Sequence, residues 1–172
     1  MTTTSNEELV YKLINTVRLF AGFEPAEARA FLAACKLETH DVGKRLIHQG
    51  ETSYELYVML SGEVAVKRQS GDGETELARL GPGDTFGELA LLDFGSRSAS
   101  VDVLSETRVF VTERAAIFRL SNLEGKLYRN LAIMMATRLR ETDAMLGRMT
   151  ARNATLEAMQ KMATDTQKFF VG

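Results

Sequence analysis

Tryptophan is absent from this chain, cysteine occurs once, and histidine and proline occur twice each. Each shortage removes a class of protein. A single thiol, Cys35, forms no internal disulfide and cannot supply the ligands of an iron–sulfur cluster. It lies in the apolar stretch Phe31-Leu32-Ala33-Ala34-Cys35, where a buried, unreactive thiol is expected. The two histidines, His40 and His48, fall on separate strand candidates and out of metal-ligand spacing, which argues against a clustered-histidine metal centre. No activated nucleophile and no paired general acid and base can be picked out, so neither catalytic residues nor a metal are expected, and the chain is not expected to be an enzyme. No apolar run reaches the length of a membrane span. The N-terminal Met1-Thr2-Thr3-Thr4-Ser5-Asn6-Glu7-Glu8 lacks both the basic and the apolar part of a signal peptide. A cytoplasmic location without membrane association is therefore expected. Excess charge is also missing: the formal net charge is −2, no global argument for binding nucleic acid. From Ser121 onward there are 8 Lys/Arg against 5 Asp/Glu, and 13 against 18 before it, a tilt that reads as a solvated helix face.

What is present suffices for one domain of ordinary size and an appendage: 172 residues, 45% of them hydrophobic. From Asn6 to Cys35 the chain reads as two helices. Leu9, Leu13, Ile14 and Val17 recur at helical spacing, and Pro25 stands in the first turn of the second helix. From Lys36 to Glu113 short runs rich in Val, Leu, Tyr and Phe are separated by the glycine turns Val42-Gly43, Gly50-Glu51, Ser61-Gly62, Gly71-Asp72-Gly73 and Gly81-Pro82-Gly83. A period-two pattern appears in Glu63-Val64-Ala65-Val66-Lys67, valines on either side of a small alanine, and in Val101-Asp102-Val103. Such spacing predicts an antiparallel sandwich or barrel. After Arg114 helix returns, with a capping-box spacing at Ser121-Asn122-Leu123-Glu124 and no proline from there on. Leu131, Met135, Leu139, Thr142, Leu146, Met149, Asn153 and Leu156 step by four and three, a heptad-like seam interrupted at Thr142 and Asn153. Six of the eight methionines lie on this stretch, which suits an adaptable packing surface. The expected boundaries are a domain over 1–120 and a long dimerisation helix over 121–172.

The most informative stretch is Phe86-Gly87-Glu88-Leu89-Ala90-Leu91-Leu92 followed by Arg97-Ser98-Ala99-Ser100-Val101. Glycine allows close backbone approach, a short apolar helix opens with free N–H groups, and an arginine fork follows on a strand; together these suit an anion. Glu88 is out of place beside an anion unless it accepts from a sugar hydroxyl next to a phosphate of single charge. This pattern resembles the phosphate-binding cassette of cyclic nucleotide-binding domains, of the catabolite activator and protein kinase regulatory subunit type. Leu19-Phe20, Gly43, Gly50-Glu51, Tyr57, Ser61-Gly62 and Gly81-Pro82-Gly83-Asp84 extend the resemblance over nearly the whole chain.

The resemblance implies an α+β fold: an antiparallel, jelly-roll-like β-roll flanked by N-terminal helices and a long C-terminal helix. It implies that Arg97 pairs with the cyclic phosphate, that the backbone of Gly87, Glu88, Leu89 and Ala90 cradles it, and that Glu88 holds the ribose 2′-hydroxyl. Ser98, followed by Ala99, matches a position whose hydroxyl touches phosphate or guanine, and Val66 and Leu77 fall where strand residues sandwich the purine. Met135-Ala136-Thr137-Arg138-Leu139-Arg140-Glu141-Thr142 is similar to the dimer helix of the catabolite activators, where Arg138 would reach the ribose-binding glutamate and Thr142 the adenine amino group. Asp143 departs from that family, which has a serine there. About twenty residues follow Met149, too few for a helix-turn-helix domain, so direct DNA binding is not expected.

The function this implies is a cyclic AMP sensor without further cofactor, a homodimer through its C-terminal helix that moves that helix to signal to a downstream protein. The alternatives are a dimeric scaffold of the same fold that binds no nucleotide, a sensor of cyclic GMP, and a sensor of a cyclic dinucleotide. Thr142 and Arg138 also read as ordinary solvated helix residues. Phe169-Phe170-Val171 reads either as a partner-binding tip or as a fraying end.

Overall fold

A computed structural model describes residues 3–71, 73–120 and 122–171. The chain divides into two units, Met1–Leu131 and Ala132–Gly172, and the division falls inside the last helix. In chain order the elements are helices α1 (Thr3–Thr16) and α2 (Pro25–Ala33), strands β1 (Lys36–His40), β2 (Arg45–Ile47), β3 (Glu55–Ser61), β4 (Val64–Ser70), β5 (Gly73–Leu80) and β6 (Thr85–Phe86), helix α3 (Glu88–Asp93), strands β7 (Ser100–Val103) and β8 (Thr107–Glu113), and helices α4 (Arg114–Phe118) and α5 (Glu124–Val171).

Two four-stranded antiparallel sheets form, in the orders β1-β8-β3-β6 and β2-β7-β4-β5. The pairs β1·β8, β2·β7, β3·β6 and β4·β5 nest inside one another, as in a long hairpin rolled up on itself. That is the jelly-roll arrangement expected from the sequence. Each of the five glycine turns contains a left-handed glycine: Gly43, Gly50, Gly62, Gly71 and Gly83. At Gly62 packing adds to conformation, because a Cβ there would come within 2.7 Å of the Thr107 backbone. Asp72, between β4 and β5 in sequence, lies outside the described residues.

Between the sheets Ile47, Met59, Val64, Phe86, Val101, Val103, Val109 and Val111 form the core, and Leu46, Tyr57, Val66 and Leu80 pack against it. Alternation holds along β7 but not along β4, where Val64 and Ala65 are both fully buried. The reason is cross-strand: Ala65 lies opposite Asp102 on one side and Arg79 on the other. A methyl group between the long Arg79 side chain and an aspartate that draws Arg45 and Lys67 over it is covered. Asp102 in turn is gripped by Arg45 (2.6 and 2.8 Å) and Lys67 (2.9 Å), and Arg45 also reaches Glu74 (2.9 Å).

The helical side of the first unit is held by an aromatic cluster in which Phe20 meets Phe23 and Phe31 edge-on at 5.5 and 5.1 Å. On α1 the buried positions are Val10 and Leu13, with Leu9 and Ile14 at the margin, and Val17 is buried just past its end. Helix α2 begins with Pro25 after a capping box made by Glu24 and Glu27. Cys35 stands just beyond the end of α2 rather than within a helix, half-buried, its Sγ 3.2 Å from the Phe31 carbonyl oxygen. Burial pushes its thiol up to about 12, in keeping with an unreactive group.

The start of α5 is anchored to α2 and to the segment between α1 and α2. Asn130 donates both amide hydrogens, to the Leu19 and Ala21 carbonyls at 2.8 Å each, and Lys126 bridges to Glu27 at 2.6 Å. Leu123, Leu127 and Leu131 are buried there. The capping residue expected at Ser121 lies outside the described residues, as do the side chains of Phe169, Phe170 and Val171. In the second unit Leu139, Leu146, Met149 and Leu156 are exposed in the single chain. Among the described residues, no helix is long and apolar enough to cross a membrane.

Candidate functional site

Strand β6 delivers the chain to Gly87, whose φ of 83° turns it sharply into α3. Two independent constraints require glycine there. The backbone is left-handed, and a Cβ would sit 2.6 Å from the Glu55 carbonyl oxygen and 2.8 Å from Arg97 Nη1. The pairing of Tyr57 with Phe86, whose rings stack at 4.7 Å, sets β3 alongside this turn. Burial raises the Tyr57 hydroxyl to about 12, so it stays neutral. At the far end of α3 a second left-handed residue, Phe94 (φ 59°), reverses the chain. Its ring carries the Arg114 guanidinium at 3.1 Å, and the same guanidinium lies 4.8 Å from Phe118, tying the end of α3 to α4.

Arg97 is the centre of the site. Its side chain is only 2% exposed. Its backbone is pinned to the preceding turn by two hydrogen bonds, Gly50 N–H to the Arg97 carbonyl (2.8 Å) and Arg97 N–H to the Glu51 carbonyl (2.9 Å). The guanidinium donates from Nε to Ser53 Oγ (2.8 Å), from Nη1 to the Gly87 carbonyl (2.9 Å), and from Nη2 to both the carbonyl and the carboxylate of Glu55 (3.0 and 2.9 Å). The Ser53 hydroxyl in turn donates a hydrogen bond to Glu51 Oε1 at 2.9 Å. The arginine fork therefore stands beside the Gly87 turn in a set orientation, its charge met by Glu55.

Around this pair the residues expected from the sequence are distributed as follows. Glu88 is buried in the first turn of α3, followed by exposed Leu89 and buried Ala90. Ser98 is exposed and Ala99 half-buried, leading into β7. Register then brings in the neighbouring strands: Lys67 lies opposite Ser100 and Val66 opposite Val101, so Val66 packs on the core beside the strand that Arg97 precedes. Leu77 has no cross-strand partner. Val66 pairs with Ala78 and Lys67 with Glu76, so Leu77 is the extra residue of a β-bulge and is 55% exposed. An exposed leucine on a bulge beside the core suits contact with a planar apolar group. Arg138 and Thr142 belong to the second unit, where the Thr142 hydroxyl donates to the Arg138 carbonyl at 2.9 Å. Among the described residues no three His, Cys, Asp or Glu side chains are grouped to hold a metal ion.

Ser53 and Glu55 are the site residues that the sequence reading did not single out. The only local sign of them is position: Glu55 is two residues before Tyr57 and so shares its face of the strand.

Comparison with known proteins bears on the same region. Residues 38–122 match the family model described as Cyclic nucleotide-binding domain. The chain is 36% identical over 148 residues to the Cyclic AMP receptor protein of Thermus thermophilus, covering 84% of this chain and 68% of that protein. It is 32% identical to the cAMP-dependent protein kinase regulatory subunit of Mycosarcoma maydis, over 76% of this chain but only 26% of that one. Among solved structures, the Catabolite Activator Protein of Thermus thermophilus superposes with a TM-score of 0.71 at 36% identity, over 77% of this chain and 63% of that one. The chain belongs to the cyclic nucleotide-binding domain family.

Proposed function

We propose that this chain is a cyclic AMP sensor: a regulatory module that binds the nucleotide at the Gly87–Arg97 cassette and passes the binding on through α5. The observation that carries the reading is the buried Arg97 guanidinium, fixed beside the Gly87 turn with Glu88 buried next along the chain. An arginine fork offers paired charge-assisted bonds to phosphate oxygens, and a carboxylate accepts from a ribose hydroxyl. The carboxylates nearby favour a singly charged cyclic phosphodiester over the doubly charged phosphate of a nucleoside monophosphate. Val66 and the bulged Leu77 supply the apolar contact for the purine, and the resemblance assigns ribose and adenine recognition to Arg138 and Thr142 on α5. Two relatives whose names refer to cyclic AMP support the choice of base. Ligand would favour one placement of α5 over another through the difference in contacts it makes in each, as any population shift requires.

Isothermal titration with cyclic AMP, cyclic GMP and 5′-AMP tests this. The expected result is micromolar or tighter binding of cyclic AMP and no heat with 5′-AMP. Preference for cyclic GMP would assign the base contact to the exposed Ser98 hydroxyl instead of Thr142. Thr142→Ala is expected to weaken cyclic AMP more than cyclic GMP, and equal losses would remove Thr142 from base recognition. Silence with all three ligands would favour the scaffold.

A further inference from the structure

The guanidinium that should receive a phosphate is already occupied. Of the five N–H donors of Arg97, four are used: one by Ser53, one by the Gly87 carbonyl and two by Glu55. A phosphate gripped by two parallel hydrogen bonds needs either Nη1 together with Nη2 or Nε together with Nη2. Both geometries take a hydrogen from Nη2, and both of its hydrogens are engaged by Glu55. One of those partners, the Glu55 carbonyl, belongs to the backbone of β3 and has no freedom to leave. The other is the Glu55 carboxylate, on a side chain 36% exposed and able to swing into water.

From this we infer that Glu55 is an internal stand-in for the ligand's phosphate, and that binding is an exchange in which the phosphodiester displaces the Glu55 carboxylate from Arg97 Nη2. The inference rests on the assignment of Arg97 as the phosphate-binding residue. Charge favours the exchange. A phosphate added without displacement would share the Arg97 guanidinium with the Glu55 carboxylate, two anions on one cation. Positioning of Arg97 does not depend on the carboxylate, because three uncharged acceptors (Ser53 Oγ and the carbonyls of Gly87 and Glu55) hold its plane, and the backbone on either side is tied to Gly50 and Glu51. Glu55 thus keeps a buried cation neutralised while the site is empty, and it lowers the affinity by the free energy needed to break that pair. It sets the ligand concentration to which the sensor responds.

The test compares the full chain with its Glu55→Gln and Glu55→Ala variants in calorimetry with cyclic AMP. Thermal unfolding without ligand serves to show that each variant is folded. Both substitutions are expected to tighten binding by on the order of tenfold, since the competitor is gone while the arginine stays in place. Unchanged or weaker binding in Glu55→Gln would overturn the exchange and make Glu55 a support for Arg97 instead. A second readout separates this from the cyclic nucleotide assignment: the Arg97 Nε–H resonance, followed by NMR while dimethyl phosphate, a monoanionic phosphodiester with no base or sugar, is added. Response at lower dimethyl phosphate concentration in Glu55→Gln, with cyclic AMP silent for both proteins, would uphold the exchange and refute the cyclic nucleotide reading. Cyclic AMP binding with equal affinity to parent and variant would do the reverse, and an Arg97 unresponsive to dimethyl phosphate in both proteins, with cyclic AMP silent for both, would refute both.

Discussion

Arg97 draws the candidate site together because its guanidinium donates to groups on two separate stretches of chain, residues 53–55 and Gly87. The carbonyl of Gly87, the hydroxyl of Ser53 and both oxygen-bearing groups of Glu55 converge on it at 2.8–3.0 Å. Replacing it with alanine removes the cation that a phosphate needs and leaves Glu55 and Glu88 facing the ligand. Arg97→Ala should therefore weaken cyclic AMP binding by about 2–4 kcal/mol, measured by calorimetry on a variant shown to be folded. A loss under tenfold would place the phosphate elsewhere. The glycine and the arginine were legible in the sequence because their spacing is local and their chemistry distinctive. Ser53 and Glu55 were not: they meet Arg97 only through the rolling of β3 against β6, and nothing local in the sequence specifies the Tyr57–Phe86 register that brings them there.

At the scale of elements, the same contrast between local and non-local information recurs. The glycine turns and the tight Ser70–Gly73 hairpin could be read directly, since left-handed backbone calls for glycine wherever it occurs. The nesting of the strands could not, because a pair such as β1 with β8 is joined by no turn of its own. Nor could the bulge at Leu77, which depends on how β4 and β5 register beyond their hairpin. The ion network on the β2-β7-β4 face belongs here too, since it stitches three strands. Bonds from Arg45, with help from Lys67, hold the Asp102 carboxyl down to about 2, below its ordinary value of 3.8. A carboxyl whose folded-state value lies below its unfolded one adds stability that is complete above about pH 4 and lost as pH falls toward 2. For a side chain 15% exposed this amounts to about 2 kcal/mol. Asp102→Asn should thus lower stability to urea at pH 7 by roughly that amount. The gap between the two proteins should shrink as pH falls from 4 to 2; a gap unchanged over that range would show that the network contributes through packing rather than charge.

For the whole molecule, we propose that a second copy of the chain covers α5, lying parallel and in register. From Leu139 the seam is regular, with Leu139, Leu146 and Asn153 at the first core position of each heptad and Thr142, Met149 and Leu156 at the second. Four of these are large apolar side chains exposed in the single chain. A parallel pairing sets the residue before each first core position against the residue five further along the partner helix. Here that places Arg138 opposite Asp143 of the partner subunit and Arg152 opposite Glu157 of the partner subunit, opposite charges at both. Asn153 then meets its own copy across the axis, the arrangement by which one polar core residue fixes register and favours two strands. The departure at Asp143 from the catabolite activator pattern thereby acquires a reason in charge. Sedimentation equilibrium tests the pairing by charge swap. Arg152→Glu alone and Glu157→Arg alone should each weaken the dimer roughly fivefold, since twofold symmetry turns two favourable contacts into two repulsive ones. The double variant, with the charges exchanged, should return to the parent value. Failure of the double variant to recover would exclude the parallel register, and a chain ending at Arg138 that remained dimeric would move the interface off α5 altogether.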